Sequence, residues 1–321
     1  MKNQVLKNNT FKVSIVMATY NGEKFLEKQL NTILEQSYLA DEIIILDDNS
    51  SDHTCTILHK YQKIFESHNI ACKFILREEN VGYIQNFIDG IKESSSDIII
   101  LSDQDDEWMN NKIEFILSFF NKYNDCVALH TNTNIIDVDG NILKINAQEY
   151  IKEVDKVELK SFLKRINYAG MALAFNKNKI LPGLIALEKE NIMFPTHDWV
   201  ICFLAVLENG FYTSSIVLTY RRYTGNNVAL TLSNSRISSL SRRIEGIKLY
   251  MKHYSFVSDS ISIHNIDISS YILTAKNRIE YLNKSSFLLW FKNMKMFSFY
   301  PSIKSYLADL ILLIKDKNDR K

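Results

Sequence analysis

The sequence predicts an α/β fold: a mostly parallel sheet flanked by helices, followed by a helical C-terminal region. Three observations predict it. Short runs of continuous apolar residues alternate with helix-periodic segments across the first 130 residues. Polar residues cluster immediately after each apolar run. From Ile237 onward the pattern becomes helical and rich in aromatics.

The elements follow in order. Val13 to Ala18 is an apolar run that reaches the turn-prone pair Asn21-Gly22. Phe25, Leu26, Leu30, Ile33 and Leu34 then recur at helical spacing. Glu42 to Leu46 reads as a second strand, Thr54 to Phe65 as a helix, and Lys73 to Leu76 as a third strand. Val81 to Ile91 is an amphipathic helix, Asp97 to Leu101 a fourth strand, and Ile113 to Phe120 a helix after it. Apolar throughout, such strands suit burial on both faces, as a parallel sheet requires. Alternation with helices gives βαβ units. Thr19-Tyr20-Asn21, Asp47-Asp48-Asn49, Arg77 and Asp103 to Asp106 then share the carboxyl edge of the sheet, where open α/β sheets bind ligands.

The middle of the chain is mixed. Ile135 to Leu143 predicts a hairpin with an Asp-Gly turn. Tyr168 to Phe175 reads as a buried strand, His197 to Leu207 as a helix, and Ser215 to Tyr220 as a strand running into Arg221-Arg222-Tyr223. The domain organisation expected is residues 1–234 as one α/β domain, with halves 1–130 and 131–234, and 235–321 as a helical region.

Composition is globular, with 46% hydrophobic and 23% charged residues in 321. A net charge of +1 gives no bulk attraction to nucleic acid, and no nucleic-acid partner is expected. The charge is uneven, however. Residues 235–321 hold 15 Lys and Arg against 7 Asp and Glu, and the remainder 23 against 30. A basic, aromatic C-terminal region suits either an anionic membrane surface or packing on the body or on a second subunit. Cys55, Cys72, Cys126 and Cys202 lack metal-site spacing and read as single thiols of a reducing compartment. Met1 to Thr10 has no signal-peptide core, and no run of about 18 apolar residues exists. The expected location is the cytoplasm, with peripheral contact at the cytoplasmic face of the inner membrane.

Asp103, Asp105 and Asp106 carry the strongest chemistry. Three carboxylates within four residues repel one another unless a cation sits among them. Carboxylate oxygens suit Mg²⁺ or Mn²⁺, which in turn bind phosphate oxygens. No G-x-G-x-x-G follows the first strand and no G-x-x-x-x-G-K-[ST] occurs, which counts against dinucleotide and P-loop alternatives.

Four segments in order carry a resemblance. They are Val13 to Gly22, Ile45 to Asp52, Asn80-Val81-Gly82, and Ser102-Asp103-Gln104-Asp105-Asp106. Together they resemble the catalytic core of the family 2 inverting glycosyltransferases, with the GT-A fold. The Ser-Asp-Gln-Asp-Asp-x-Trp form is most similar to the rhamnosyltransferase-like branch. The resemblance implies that Asp103 and Asp105 are the DxD metal pair. It also implies that Thr19, Tyr20, Asn21, Asp48 and Arg77 hold the nucleotide's base and ribose, with Asp103 and Arg221 toward the diphosphate. His197-Asp198-Trp199 matches the catalytic-base motif, with Asp198 as base and His197 as its competitor. Tyr220 to Asn227 resembles a Tyr-Arg-x-His segment, but Tyr223 stands where His is usual, which leaves the metal's last protein ligand open. Arg221 or Arg222 would neutralise leaving-group charge.

The activity implied is transfer of a sugar from a UDP- or dTDP-sugar, with dTDP-rhamnose suggested by the resemblance. The acceptor implied is a hydroxyl of a lipid-linked glycan or cell-surface polysaccharide. The alternative is a degenerate relative that binds glycan or a partner without turnover. A nucleotidylyltransferase is a weaker rival, since its Gly-rich basic loop is absent.

Overall fold

The structure is a computed structural model, and it describes residues 11–144, 150–224, 240–260 and 267–319. Expectations placed on Met1 to Thr10 and on Gly225, Asn226 and Asn227 lie outside the described residues.

The chain divides into two compact units. The larger gathers Met1–Glu158, Tyr168–Ala186 and Thr196–Asn227. The smaller gathers Leu159–Asn167, Leu187–Pro195 and Val228–Lys321.

The larger unit is built on a ten-stranded sheet. Its first half follows the expected alternation: β1 (Val13–Thr19), α1 (Leu26–Leu34), β2 (Glu42–Asp47), α2 (Thr54–Ser67), β3 (Ala71–Leu76), α3 (Tyr83–Glu93) and β4 (Ile98–Ser102). A two-residue β5 (Glu107–Trp108) and α4 (Lys112–Lys122) follow. β1 pairs in parallel with β2 on one side and β4 on the other, with Thr19 opposite Asp47 and Met17 opposite Ser102. Strands one, two and four are buried along nearly their whole length. That is why each reads as an unbroken apolar run.

The second half continues with β6 (Ala128–Ile136), β7 (Ile142–Leu143), β8 (Asp155–Lys156), α5 (Leu159–Phe162, in the smaller unit), β9 (Leu173–Asn176), α6 (Lys177–Lys189), α7 (His197–Leu207) and β10 (Phe211–Arg222). The main strand order is β3-β2-β1-β4-β9-β6-β10-β5. β9 runs antiparallel to both β4 and β6, so β6 and β10 point the same way as β1 to β4. The carboxyl ends of all six parallel strands therefore share one edge. This is the GT-A arrangement.

Several elements differ from the sequence expectation. The buried strand expected at Tyr168 to Phe175 is only β9, because Gly170–Ala172 forms a 3₁₀ turn before it. The hairpin strand at Ile135 begins seven residues earlier, at Ala128. The early part carries His130, Thr131, Asn132, Thr133 and Asn134, which break the apolar pattern. Burial there is made possible by pairing. Asn132 accepts the Tyr150 N–H at 2.7 Å and donates to the carbonyls of Tyr150 and Ser215 at 3.0 and 3.1 Å. Likewise β10 starts at Phe211, before the expected Ser215.

The smaller unit holds α8 (Leu240–Asp259), α9 (Ser269–Asn283), α10 (Phe287–Lys292) and α11 (Ile303–Asp319), as the helical pattern predicts. At its centre the buried Asp309 carboxylate accepts Arg243 Nε at 2.6 Å, Arg278 Nε at 2.9 Å and the Tyr281 hydroxyl. Among the described residues, no helix is long and apolar enough to cross a membrane.

Candidate active site

The acidic loop leaves β4 directly, so its carboxylates start at the sheet's carboxyl edge. One carboxylate oxygen from each of Asp103, Asp105 and Asp106 lies within 4.8 Å of the others. Burial is the largest force on all three. It and the neighbouring Asp105 push the Asp103 carboxyl up to about 7, against the pull of Arg221 and Lys112. Burial also raises Asp105, and raises Asp106 well above the usual carboxylate range with the help of Asp103 and Asp105. Three crowded, desolvated carboxylates are a fit for a divalent cation, which removes both penalties at once. Asp103 and Asp105 are half-buried and would hold it. Asp106 is buried behind them and accepts the Arg222 N–H at 3.1 Å.

The loop is held by polar side chains of α1 and of the turn just after it. Gln29 Nε2 donates to Ser102 Oγ at 2.8 Å, Thr32 Oγ1 accepts the Trp108 N–H at 3.1 Å, and Gln36 Nε2 donates to the Met109 carbonyl at 2.8 Å. All three are buried. Gln29 and Thr32, three residues apart, share one face of α1, and Gln36 follows two residues past its end. Sequence reasoning passed over them, because Gln and Thr beside an apolar stripe read as a solvated flank.

Lys112 was also missed. It is fully buried at the start of α4, and its ammonium lies 3.9 Å from the Trp108 ring centroid. It donates to the Met171 carbonyl at 2.7 Å and to Thr219 Oγ1 at 2.9 Å. Burial lowers its pKa to about 7, while Asp106 and Asp103 pull it back up. The signal available in the sequence was a lysine at helical spacing from Trp108.

The two arginines separate cleanly. Arg222 is buried and committed: Nε donates to the Asp105 carbonyl at 2.9 Å, Nη1 to the Asp137 and Val138 carbonyls at 2.9 and 3.1 Å, and Nη2 pairs with Glu107. It is a strap on the loop. Arg221 acts electrostatically on Asp103, Asp105 and Asp106, and its buried Nε has no hydrogen-bond partner among the described residues. Of the pair, Arg221 is the one with charge to spare for a phosphate. Tyr223 follows at the end of β10, its N–H donating to the Ile136 carbonyl at 2.7 Å.

The expected nucleotide residues occupy the adjoining strand ends. Thr19 is buried: its hydroxyl donates to Asp47 Oδ1 at 2.9 Å and its carbonyl accepts the Asp48 N–H at 2.8 Å. Tyr20 is half-exposed, and both its backbone polar atoms bond the Gln104 amide. Asn21 takes a positive φ of 46°, which asparagine tolerates, and its side-chain carbonyl accepts the Ser51 N–H at 2.9 Å. The Asp48 carboxylate accepts the Val81 and Gly82 N–H groups at 2.8 and 2.9 Å, clamping the start of α3. Each of its oxygens retains a second lone pair. Arg77 donates from Nε to Asn86 at 2.8 Å and pairs with Asp89. Asn80 and Gly82 shape the turn: Asn80 donates to the Asp48 carbonyl at 3.2 Å, and Gly82 has a φ of 87°.

The base motif opens α7. Thr196 caps the helix through Trp199 N–H at 3.4 Å, and Asp198 Oδ1 accepts the same N–H at 2.7 Å. Asp198 is half-buried, and its charge raises Asp103. His197 is buried, stacked on Phe87 at 4.1 Å and edge-on to Tyr83 at 5.8 Å. Neither of its ring nitrogens has a hydrogen-bond partner among the described residues. Tyr83 is a further residue that sequence reasoning missed. It is half-exposed at the first turn of α3, and its hydroxyl is raised by burial and by the charges of Asp198 and Asp103. The acidic loop, Asp198 and Tyr83 are thus near enough to act on one another electrostatically.

Comparison with known proteins agrees with this fold. The model of the family described as glycosyl transferase family 2 matches residues 14–181. A GalNAc(5)-diNAcBac-PP-undecaprenol beta-1,3-glucosyltransferase of Campylobacter jejuni is 24% identical over 225 residues, covering 70% of this chain and 69% of its own. A dTDP-rhamnosyl transferase, RfbG, of Shigella flexneri is 38% identical over 101 residues, covering 30% of this chain and 34% of its own. Among solved structures, residues 1–349 of TarS from S. aureus in complex with UDP align at a TM-score of 0.56 and 16% identity, covering 96% of this chain and 92% of that one. At that identity the last likeness concerns the fold alone.

Proposed function

The chain belongs to glycosyl transferase family 2 and is a glycosyltransferase, and on that premise we propose that it moves a sugar from a nucleoside diphosphate donor to a glycan hydroxyl with inversion at the anomeric carbon. The observation that carries the proposal is the meeting of the Asp103–Asp105–Asp106 cluster with Asp198 and Arg221 at one sheet edge.

In this reading Asp48 accepts from the N3–H of a uracil or thymine, and the backbone of Thr19, Tyr20 and Asn21 lines the base and ribose. Arg77 supports that wall through Asn86 and Asp89. Asp103 and Asp105 would hold Mn²⁺ or Mg²⁺, which when bound would supply charge neutralisation for the departing diphosphate. Arg221 adds a fixed cation to the same leaving group. Asp198 takes the proton of the acceptor hydroxyl as its oxygen bonds to the anomeric carbon. The bond from that carbon to the phosphate oxygen breaks, and the nucleoside diphosphate leaves with the electron pair. His197 is poorly suited to the base role, because it is buried against Phe87 and burial holds its pKa below the usual value.

The names of two relatives support the finer substrate reading. One acts on an undecaprenol-linked glycan and the other is a dTDP-rhamnosyl transferase. We infer a lipid-linked or polysaccharide acceptor at the cytoplasmic membrane face, and dTDP-rhamnose as the first donor to try. The likeness to a UDP-bound fold keeps UDP-sugars in the same panel. No observation favours the degenerate binding-protein alternative.

Nucleotide-sugar turnover with Mn²⁺ tests the proposal. Asp198→Asn should lower transfer by about 10²–10⁴-fold while nucleotide binding and thermal midpoint stay unchanged. Equal transfer by the variant and the wild type would sink the base assignment.

A further inference from the structure

We propose that α11, in the smaller unit, is a docking face for an anionic lipid bilayer, and that it lies in the headgroup region rather than crossing the membrane. The inference rests on the reading of a membrane-facing acceptor for its purpose, and on the helix itself for its evidence.

Ile303, Leu307, Ile311 and Ile314 are 60%, 46%, 51% and 46% exposed. Their spacing is four, four and three residues. At 3.6 residues per turn they fall within an arc of roughly 80°. They form one apolar stripe of branched side chains facing solvent. The opposite face carries Tyr306, Asp309, Leu312 and Leu313, all buried.

The helix cannot rotate to hide the stripe. Asp309 is gripped by Arg243 at 2.6 Å, Arg278 at 2.9 Å and the Tyr281 hydroxyl. Turning α11 inward would strip a buried carboxylate of two guanidinium partners, which is costly. The rotational setting that buries Asp309 is therefore the one that exposes Ile303, Leu307, Ile311 and Ile314.

Charge selects the occupant. Lys304 and Lys315 are exposed on one flank of the stripe and Lys317 on the other. The preceding α10 and the 3₁₀ turn after it repeat the composition: Leu288, Phe291 and Met294 are exposed with Lys292 and Lys295. Trp290 of α10 donates to the Tyr306 carbonyl at 3.3 Å, which ties this segment to the start of α11. An apolar stripe bordered by lysines matches an interface of acyl chains beneath anionic headgroups. A second copy of the same face would set lysines against lysines.

The test is flotation of the full-length chain with phosphatidylglycerol vesicles and, separately, with phosphatidylcholine vesicles. The wild type should float with the first and stay in solution with the second, and added salt should weaken the association. The double variant Leu307→Asp/Ile311→Asp should lose partition by about tenfold or more, with an unchanged thermal midpoint and unchanged donor hydrolysis. Lys304→Glu/Lys315→Glu should lose the preference for phosphatidylglycerol. Wild-type protein that ignores phosphatidylglycerol vesicles would overturn the proposal, as would a double variant whose only change is a smaller mass in light scattering. Donor hydrolysis by the same samples keeps this outcome apart from a failure of the enzymatic reading, which would show as no hydrolysis whether or not the chain floats.

Discussion

The Gln104 side-chain amide bonds both backbone polar atoms of Tyr20: its Oε1 accepts the Tyr20 N–H at 2.9 Å, and its Nε2 donates to the Tyr20 carbonyl at 3.0 Å. This pair ties the acidic loop to the loop after β1, so that the two segments proposed to hold the metal and the nucleotide are placed together. A Cβ on Gly22 would lie 2.2 Å from the same Gln104 Oε1, which explains the glycine there. Gln104→Ala should therefore weaken nucleotide binding by about tenfold, the worth of two modest hydrogen bonds, with little change in thermal midpoint. Calorimetric titration of UDP and dTDP in Mn²⁺ measures it. Unchanged affinity would mean that the two loops are registered elsewhere.

Lys112 supplies a buried positive charge that acts on Asp106 and Asp103. Lys112→Met removes it and leaves the carboxylates less compensated. The fold should lose about 3–5 kcal/mol without metal. The vacated charge should be partly replaced by a divalent cation. The variant should therefore show a lower thermal midpoint but a larger Mn²⁺-induced rise than the wild type. Melting curves with EDTA and with Mn²⁺ decide this; a smaller rise in the variant would show that Lys112 does not balance the cluster.

Arg222 bonds three carbonyls and one carboxylate with a single planar group. A lysine has the charge but not the fork. Arg222→Lys should cost about 2–4 kcal/mol and should weaken Mn²⁺ binding, because Asp105 loses its backbone anchor. Arg221→Lys should cost little stability and should instead raise the KM for donor. If the two variants behave alike, the division between strap and phosphate ligand is wrong.

The donor-binding half was legible because its strands are buried on both faces and its polar residues stand at strand ends. Asp103, Asp105 and Asp106 stood out by their position after a buried strand, whereas Asp198 was singled out only through the resemblance of His197-Asp198-Trp199 to a catalytic-base motif. What escaped were polar residues inside packed elements. Gln29, Thr32 and Gln36 are buried on α1 and just past its end, yet their bonds go to the Ser102 hydroxyl, the Trp108 N–H and the Met109 carbonyl, seventy or more residues away. Asn132 hides a strand start by the same means. A one-dimensional pattern records that such a residue is polar, not that distant carbonyls and amides satisfy it. Gly170 and Gly183 are similar. At these two positions a Cβ would crowd a side chain, His197 Nε2 at 3.1 Å and Leu204 at 2.8 Å respectively, contacts that arise only on folding.

His197 joins stability to function most directly. Its imidazole is buried between Phe87, Tyr83 and Gly170, with neither nitrogen bonded among the described residues. A buried polar group left unpaired costs about 1–3 kcal/mol. Burial lowers its pKa, and the Asp198 charge opposes that without overcoming it. The folded state thus resists the proton that the unfolded chain accepts near its ordinary value of about 6.5. The unfolded state binds more protons in the window below that value, so stability falls as pH drops through it toward the lowered folded pKa. His197→Leu removes both penalties. The variant should match or exceed the wild-type thermal midpoint at pH 7, and should hold it better on acidification. Its transfer rate should fall while nucleotide affinity stays constant, because the imidazole packs beside the Asp198 backbone and under Tyr83. A less stable variant would show that the nitrogens are satisfied in the folded protein. A stable and fully active one would show that the imidazole fills space and does nothing for the reaction.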